Sequence, residues 1–154
     1  MKFNSISEFV NELDSDITDP YQIAKDFKLK IIETDLLSNN INAFCEPTSQ
    51  VIFINKNINN RFKLFVLSHE IIHALLDYHL AMLENNTVNT LKTESRANNG
   101  AFYILERNFK AINNIFLNDI NINCFMKFYN IPNYYFYFVE HYFKLRKNHE
   151  LLYS

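Results

Sequence analysis

The feature that most constrains the fold is the segment from Arg61 to about Tyr78, whose apolar residues would lie on nearly all sides of a helix. Asn59-Asn60 precede it and supply side chains that cap helices. A helix that is apolar on all sides must be buried. Polar residues interrupt this one in the sequence His69-Glu70-Ile71-Ile72-His73. Burying these groups costs free energy unless a partner compensates them, and a metal ion is the natural partner.

The interrupting sequence is an HExxH motif. Residues four apart lie on one helix face with Cβ atoms about 5–6 Å apart, so the imidazoles of His69 and His73 can converge on one ion. Zinc binds imidazole nitrogen at about 2.0–2.1 Å in tetrahedral sites. Glu70 lies one residue round the helix, near the ion but not bound to it, where it can act on a water as general base. The motif therefore predicts His69 and His73 as zinc ligands and Glu70 as the catalytic residue.

A third ligand must come from another part of the chain. The sequence predicts a helix that begins at Thr93, with Glu94 in its first turn, where a carboxylate also suits the helix dipole. Asn98 lies four residues later on the same face and could orient a ligand histidine. We expect Glu94 to be the third ligand, because two histidines and a glutamate form a catalytic zinc set with one position left open.

Other residues compete with Glu94 for this role. The alternatives for the third ligand are Asp77, His79 and Glu84. His79 is the weakest of them, because ten residues along a continuous helix turn its direction roughly 80° away from that of His69.

The remaining pattern predicts an α+β fold: one mostly helical domain over residues 1–154, with a small three-stranded antiparallel sheet beside the metal-binding helix. The predicted strands are Leu29–Glu33, Ile41–Cys45 and Val51–Ile54. The other predicted helices are a short one capped by Ser5 or Ser7 that carries Ile6, Phe9, Val10 and Leu13, one opened by Thr18-Asp19-Pro20 and ending near Phe27, and then Thr93–Asn108, Asp119–Tyr129 and Asn133–Lys147. Glu84–Thr90 is predicted to be a loop.

Composition excludes several classes of protein. With 154 residues, of which 48% are hydrophobic and 21% charged, the chain can form one packed core. A formal net charge of −2 argues against nucleic acid as the main ligand. No run approaches the roughly 18 apolar residues of a membrane helix, and the first residues lack the apolar core of a secretory signal. Cys45 and Cys124 are expected to be reduced thiols, so a cytoplasmic protein is predicted.

Two long stretches resemble a known family. NNRFKLFVLSHEIIHALL, followed by TESRANNGAFYIL, is similar to the ImmA/IrrE family of zinc metallopeptidases. The segment DPYQIAKDF, the strands KLKIIETD, INAFCEP and VIFINKN, and the tail CFMKFYNIPNYYFYFVEHYFKL extend the similarity from about residue 20 onward. The resemblance implies a zincin-like fold and a Zn²⁺ cofactor. It assigns the zinc histidines to His69 and His73, the catalytic glutamate to Glu70, and the start of the later motif to Glu94, with its asparagine at Asn98.

The later motif departs from the family pattern E-x-E-A-N-x-F-A at two positions. Arg96 stands where the family has its second glutamate, and Gly100 stands in place of phenylalanine. A leucine-rich ending with Met-Pro is also replaced, by Ile104-Leu105-Glu106-Arg107. If the second glutamate were the ligand, Arg96 would disable the site. We favour Glu94, because its spacing to Asn98 resembles that of other glutamate-zincins.

The resemblance also implies an activity and a partner. Family members act inside the cell as endopeptidases on a protein substrate, typically a helix-turn-helix repressor encoded nearby, often on a phage or mobile element. Two other functions stay open. The chain could be a metallopeptidase-like binding module that sequesters a regulator without cutting it, or the zinc could be purely structural, with a fourth protein ligand. Neither nucleic acid nor membrane is expected as a partner.

Two further segments carry expectations. Val51–Asn55 is predicted to be an edge strand along which an extended substrate pairs through its backbone. In the aromatic tail, residues 135, 138, 139 and 142 share one helical face and are predicted to be core. His141, His149 and the basic cluster Lys144–Lys147 are expected to form a solvated end. A tyrosine could stabilise an oxyanion, but the sequence singles out none.

Overall fold

The fold was analysed in a computed structural model, which describes residues 2–46, 48–77 and 87–150, without the side chains of 87–90. Within these residues there are six α-helices: Ile6–Glu12 (α1), Pro20–Asp26 (α2), Asn60–Leu76 (α3), Thr87–Asn113 (α4), Ile122–Phe128 (α5) and Phe136–Lys147 (α6). The strands are Lys30–Thr34 (β1), Ala43–Glu46 (β2) and Val51–Asn55 (β3), and short 3₁₀ turns span Leu117–Asp119 and Asn133–Tyr135. The prediction of a mostly helical α+β fold is confirmed.

The predicted starts of α2 and α3 are confirmed by their caps. The Asn59 side chain accepts hydrogen bonds from the backbone N–H groups of Arg61 and Phe62, at 2.9 and 3.2 Å. Asp19 caps α2, with Pro20 as its first helical residue. Each cap satisfies N–H groups that have no partner inside the helix. Capping thus determines where α3 begins. Because the helical repeat is regular, it also determines the direction of the His69 and His73 side chains.

The sheet is mixed, and the prediction of an antiparallel sheet is wrong for one of its two pairings. The strand order is β1-β3-β2, with β3 antiparallel to β2 and parallel to β1. The central place goes to the most apolar strand, whose Ile52 and Ile54 are fully buried. Charged residues such as Lys30 and Glu46 lie on the outer strands, where solvent reaches them.

Helix α3 is buried between the sheet and α4, as its all-round apolar character predicts. Its residues Leu67, Ile71 and Ile72 have no exposed surface. Helix α4 approaches it closely at Gly100, where a Cβ atom would lie 2.5 Å from Cγ1 of Ile72. Gly100, which stands in place of the phenylalanine of the family pattern, therefore makes room for the Ile72 side chain.

Helix α4 differs from its predicted bounds. It begins at Thr87 and not at Thr93, so the predicted loop is wrong for residues 87–90, while 84–86 lie outside the described residues. Glu94 is therefore not in the first turn, and the helix-dipole argument for it does not apply. Weak helix formers such as Asn and Thr are held in the helix by the tertiary packing of its later turns.

The aromatic tail is core only in part. Val139, Tyr142 and Phe143 are buried, but Phe138 is 53% exposed, contrary to the prediction for that position. The reason is that the buried face of α6 centres on Val139, Tyr142 and Phe143, and Phe138 lies at the edge of this face, about 100° around the helix from Val139. The basic end is not fully solvated either, because Arg146 pairs with the buried Glu106 at 2.7 Å.

We predict that Gly100→Ala lowers the free energy of unfolding by about 1–2 kcal/mol, because overpacking a filled core outweighs the better helix propensity of alanine. Chemical denaturation measures this. Ile72→Ala removes the clashing atoms. It should therefore lower the free energy of unfolding less in the Gly100→Ala background than in the wild type. Strictly additive effects of the two substitutions would contradict this account of the helix contact.

Candidate metal centre

Three side chains from two helices converge on one point. The Nε2 atoms of His69 and His73 on α3 lie 3.0 Å apart. Glu94 on α4 reaches both, with Oε2 3.2 Å from His69 Nε2 and Oε1 3.0 Å from His73 Nε2. Ligand atoms of the three residues all lie within 4.8 Å of one another. The structure thus brings together the three residues that the sequence predicted.

The hydrogen bond at Nδ1 of each imidazole determines its tautomer. His69 Nδ1 lies 3.0 Å from Oδ1 of Asn98, and His73 Nδ1 lies 2.8 Å from Oδ2 of Asp77. These oxygens only accept, so each Nδ1 donates its proton, and in the neutral imidazole the Nε2 atom then carries a lone pair. Both lone pairs point toward the Glu94 carboxylate.

Three electron-rich groups this close repel one another unless something positive lies between them. A single proton can join only two of them, whereas a metal ion contacts all three. For a tetrahedral ion with bonds of about 2.0–2.1 Å, neighbouring ligand atoms are about 3.4 Å apart. The separations of 3.0 to 3.2 Å are close to this spacing. The residues present therefore fit a metal ion and could hold one.

The structure also tests the alternatives for the third ligand. Asp77 is not in the cluster of ligand atoms; its carboxylate accepts a hydrogen bond from the far side of His73. The reason is position, because Asp77 caps the end of α3, behind the histidine. His79 and Glu84 lie outside the described residues. The predicted contact of Asn98 with a ligand histidine is present at His69.

Glu70 lies beside the three candidate ligands but outside their cluster. Burial raises the pKa of its carboxyl, while the nearby His73 and His69 lower it, and the Cys45 backbone N–H also favours the charged form. A raised pKa suits a residue that must accept and return a proton near neutral pH. Burial also raises the pKa of the Cys45 thiol to about 12, so this cysteine remains protonated.

A cleft opens onto the centre. Its lining comprises His69, Glu70 and Glu94 together with residues 40–43, Phe65, Val66 and Tyr135. Tyr135 packs edge-on against Phe65, with ring centroids 5.1 Å apart. Burial raises the pKa of Tyr135 to about 12, so its phenol can donate a hydrogen bond at neutral pH. Sequence reasoning missed this tyrosine, because it lies far along the chain in the aromatic tail.

The prediction that β3 is an edge strand is wrong, because β3 pairs with a strand on both sides. The strand beside the cleft is β2, whose outer edge pairs with no other strand in the described part of the chain. The Asn55 N–H donates to the Asn42 carbonyl at 2.9 Å. By the alternation of antiparallel pairs, Phe44 then bonds to β3, while Ala43 and Cys45 direct their N–H and C=O groups outward.

The fold and the site define a small α+β domain with a candidate His/Glu metal centre at the bottom of an open cleft. A family model described as Peptidase_M78, IrrE N-terminal-like domain, matches residues 24–144. The chain therefore belongs to this peptidase family, and the resemblance inferred from the sequence is confirmed. Searches of curated proteins and of solved structures found no match. Among the described helices, none is long and apolar enough to cross a membrane.

We predict that Glu94→Ala weakens binding of Zn²⁺ by more than about 100-fold, beyond the roughly 10–100-fold typical of a lost contact to a ligand. The reason is that the substitution removes the carboxylate that contacts both histidines from α4. Titration of metal-free protein with Zn²⁺ against a competing chelator measures the effect. The matched control is Glu12→Ala, an exposed glutamate on α1; equal affinity of the wild type and Glu94→Ala would refute the assignment.

Proposed function

We propose that the protein is a zinc-dependent endopeptidase of the cytoplasm. The observation that carries this proposal is the meeting of His69, His73 and Glu94 beside Glu70, in an open cleft. Membership in a peptidase family implies a protein substrate. We further propose that residues 1–154 form one such domain.

Zinc is proposed over other ions because of the donor set. Two imidazoles and one carboxylate are a recognised catalytic zinc set, with a position left for water or substrate. When bound, the ion would supply Lewis-acid polarisation of the scissile carbonyl and would lower the pKa of water. His69, His73 and Glu94 would hold it, and Asn98 and Asp77 would keep the two imidazoles oriented.

Glu70 is proposed to move the proton. Its carboxylate would hold a water in the cleft, accept a proton as that water attacks the peptide carbonyl, and then pass the proton to the leaving amine. Its position next to His69 in the sequence, on the cleft side of α3, supports this role.

The outer edge of β2 is proposed to hold the substrate. The outward N–H and C=O groups of Ala43 would pair with an extended segment, as in other cases where a peptide adds a strand to a sheet. Phe65, Val66 and Tyr135 line the same cleft and favour an apolar side chain near the scissile bond. Such backbone pairing demands little of the substrate sequence. It does require an extended segment, so a folded substrate must offer a loop or linker.

The substrate is proposed from the resemblance set out above. Proteins of this type typically cleave a helix-turn-helix repressor encoded nearby, often on a phage or mobile element of a bacterium. We propose a regulatory protein of that class as the partner. The rival proposal of a binding module draws its support from Arg96 and from the aromatic tail. Arg96 forms an ion pair with Asp77 and lies outside the ligand cluster, which removes the first of these two supports.

We predict that the zinc-loaded protein cuts the neighbouring repressor into discrete fragments, and that Glu70→Gln lowers kcat by about 10²–10⁴-fold, the usual contribution of a general base. Zinc affinity should be unchanged, since Glu70 is not a ligand. Gel analysis with mass spectrometry measures cleavage, with Glu12→Gln as the matched control. Intact repressor under all metal conditions would contradict proteolysis, and a regulatory function that Glu70→Gln leaves intact would favour the binding module.

We predict that Ala43→Pro lowers kcat/KM by about 5–10-fold or more, the value of one lost hydrogen bond. Proline removes an N–H that faces away from β3, so the sheet itself should be preserved. Initial rates on the repressor measure the effect, and unfolding curves check the fold. Ala43→Ser keeps the N–H and serves as control. If Ala43→Pro cleaved as fast as Ala43→Ser, the substrate would not pair at β2.

A further inference from the structure

Arg96 is connected to the metal centre through one intermediate residue. Its guanidinium contacts Oδ1 of Asp77 at the end of α3. The other carboxylate oxygen of Asp77, Oδ2, accepts a hydrogen bond from Nδ1 of His73 at 2.8 Å. Both oxygens of Asp77 are therefore occupied, one by the cation on α4 and one by the histidine on α3.

The position of Asp77 is electrostatically unfavourable without this cation. Its side chain is only 8% exposed, and an unpaired carboxylate costs free energy where water is excluded. It also caps the C-terminus of α3, where the exposed backbone carbonyls disfavour a negative charge. Arg96 offsets both effects and, by contacting Oδ1, holds the carboxylate in a fixed orientation.

The two candidate histidine ligands thus both depend on α4, by different routes. Asn98 contacts His69 directly. Arg96 reaches His73 only through Asp77. Glu94 contacts both histidines and supplies the third candidate ligand. A side chain that holds a ligand's hydrogen-bond partner controls the direction of the ligand and the basicity of its free nitrogen.

We propose that Arg96 is a positioning residue of the metal centre: by fixing Asp77, it holds the His73 imidazole with Nε2 aimed at the ion. This inference rests on the metal site put forward above. It assigns a role to the arginine that replaces the second glutamate of the family pattern. The replacement supports the centre through a partner on α3 and does not disable it.

The test is a double-mutant cycle on zinc affinity. Arg96→Met should weaken binding of Zn²⁺ by about 10–100-fold, the range for a lost partner of a ligand. In an Asp77→Asn background, which has no charge to fix, the same substitution should change affinity little. Arg96→Lys, which keeps a cation but not the planar fork, should retain most of the affinity. Metal-free proteins are titrated with Zn²⁺ against a chelator.

The matched control is Arg107→Met on the same helix, whose guanidinium bonds to the backbone carbonyl of Asp14. It should leave zinc affinity and the visible spectrum of the Co²⁺-loaded protein unchanged, whereas Arg96→Met should alter both. Unfolding curves of the metal-free variants separate this effect from general destabilisation. If Arg96→Met does not fold, a wild-type affinity in Asp77→Asn would overturn the inference.

The outcomes separate this inference from the proposed function. A wild-type protein that binds no Zn²⁺ would refute the metal site itself. A wild type that binds Zn²⁺, with equal affinity in Arg96→Met, would refute only the role of Arg96. Equal losses in Arg96→Met and Arg107→Met would also refute it, because the effect would then be on stability alone.

Discussion

The structure depends on one electrostatic requirement: two imidazole nitrogens and a carboxylate lie 3.0 to 3.2 Å apart with their lone pairs directed inward. Such an arrangement is favourable only around a cation. It also requires α3 and α4 to be close, and small residues on α4 permit this, namely Ala97, Gly100 and Ala101, all buried. Packing thus brings the three groups together, and a metal ion would remove the repulsion that packing creates.

Polar residues of both α3 and α4 orient the two histidines. Asn98 and Asp77 each accept a proton from the far nitrogen of one histidine, which leaves the near nitrogens free. Arg96 balances the charge of Asp77. From the sequence alone, Arg96 would disable the site if the second glutamate of the family pattern were the ligand. Its contact with Asp77 supports the opposite interpretation, since a charge change on α4 is matched by an acid at the end of α3.

The residues predicted from the sequence were those that periodicity and ligand chemistry determine. His69 and His73 share a helical face, and Asn98 follows Glu94 by one turn, so local spacing was sufficient to group them. Asp77 was predicted only as an alternative third ligand, whereas its position at the end of α3, behind His73, makes it a hydrogen-bond partner of that histidine. The strand order was not predicted, because the sequence pattern marks each strand but does not say which strands pair. The last strand, β3, lies between β1 and β2. Tyr135 was missed for the same reason: only tertiary packing brings the aromatic tail to the cleft.

X-ray absorption at the zinc edge of the loaded protein tests the central claim most directly. The account predicts one ion bound by two imidazoles and a carboxylate, with the remaining position taken by water, and loss of the carboxylate contribution in Glu94→Ala. Four protein ligands and no water would indicate a closed structural site. An ion bound without either histidine would contradict the account entirely.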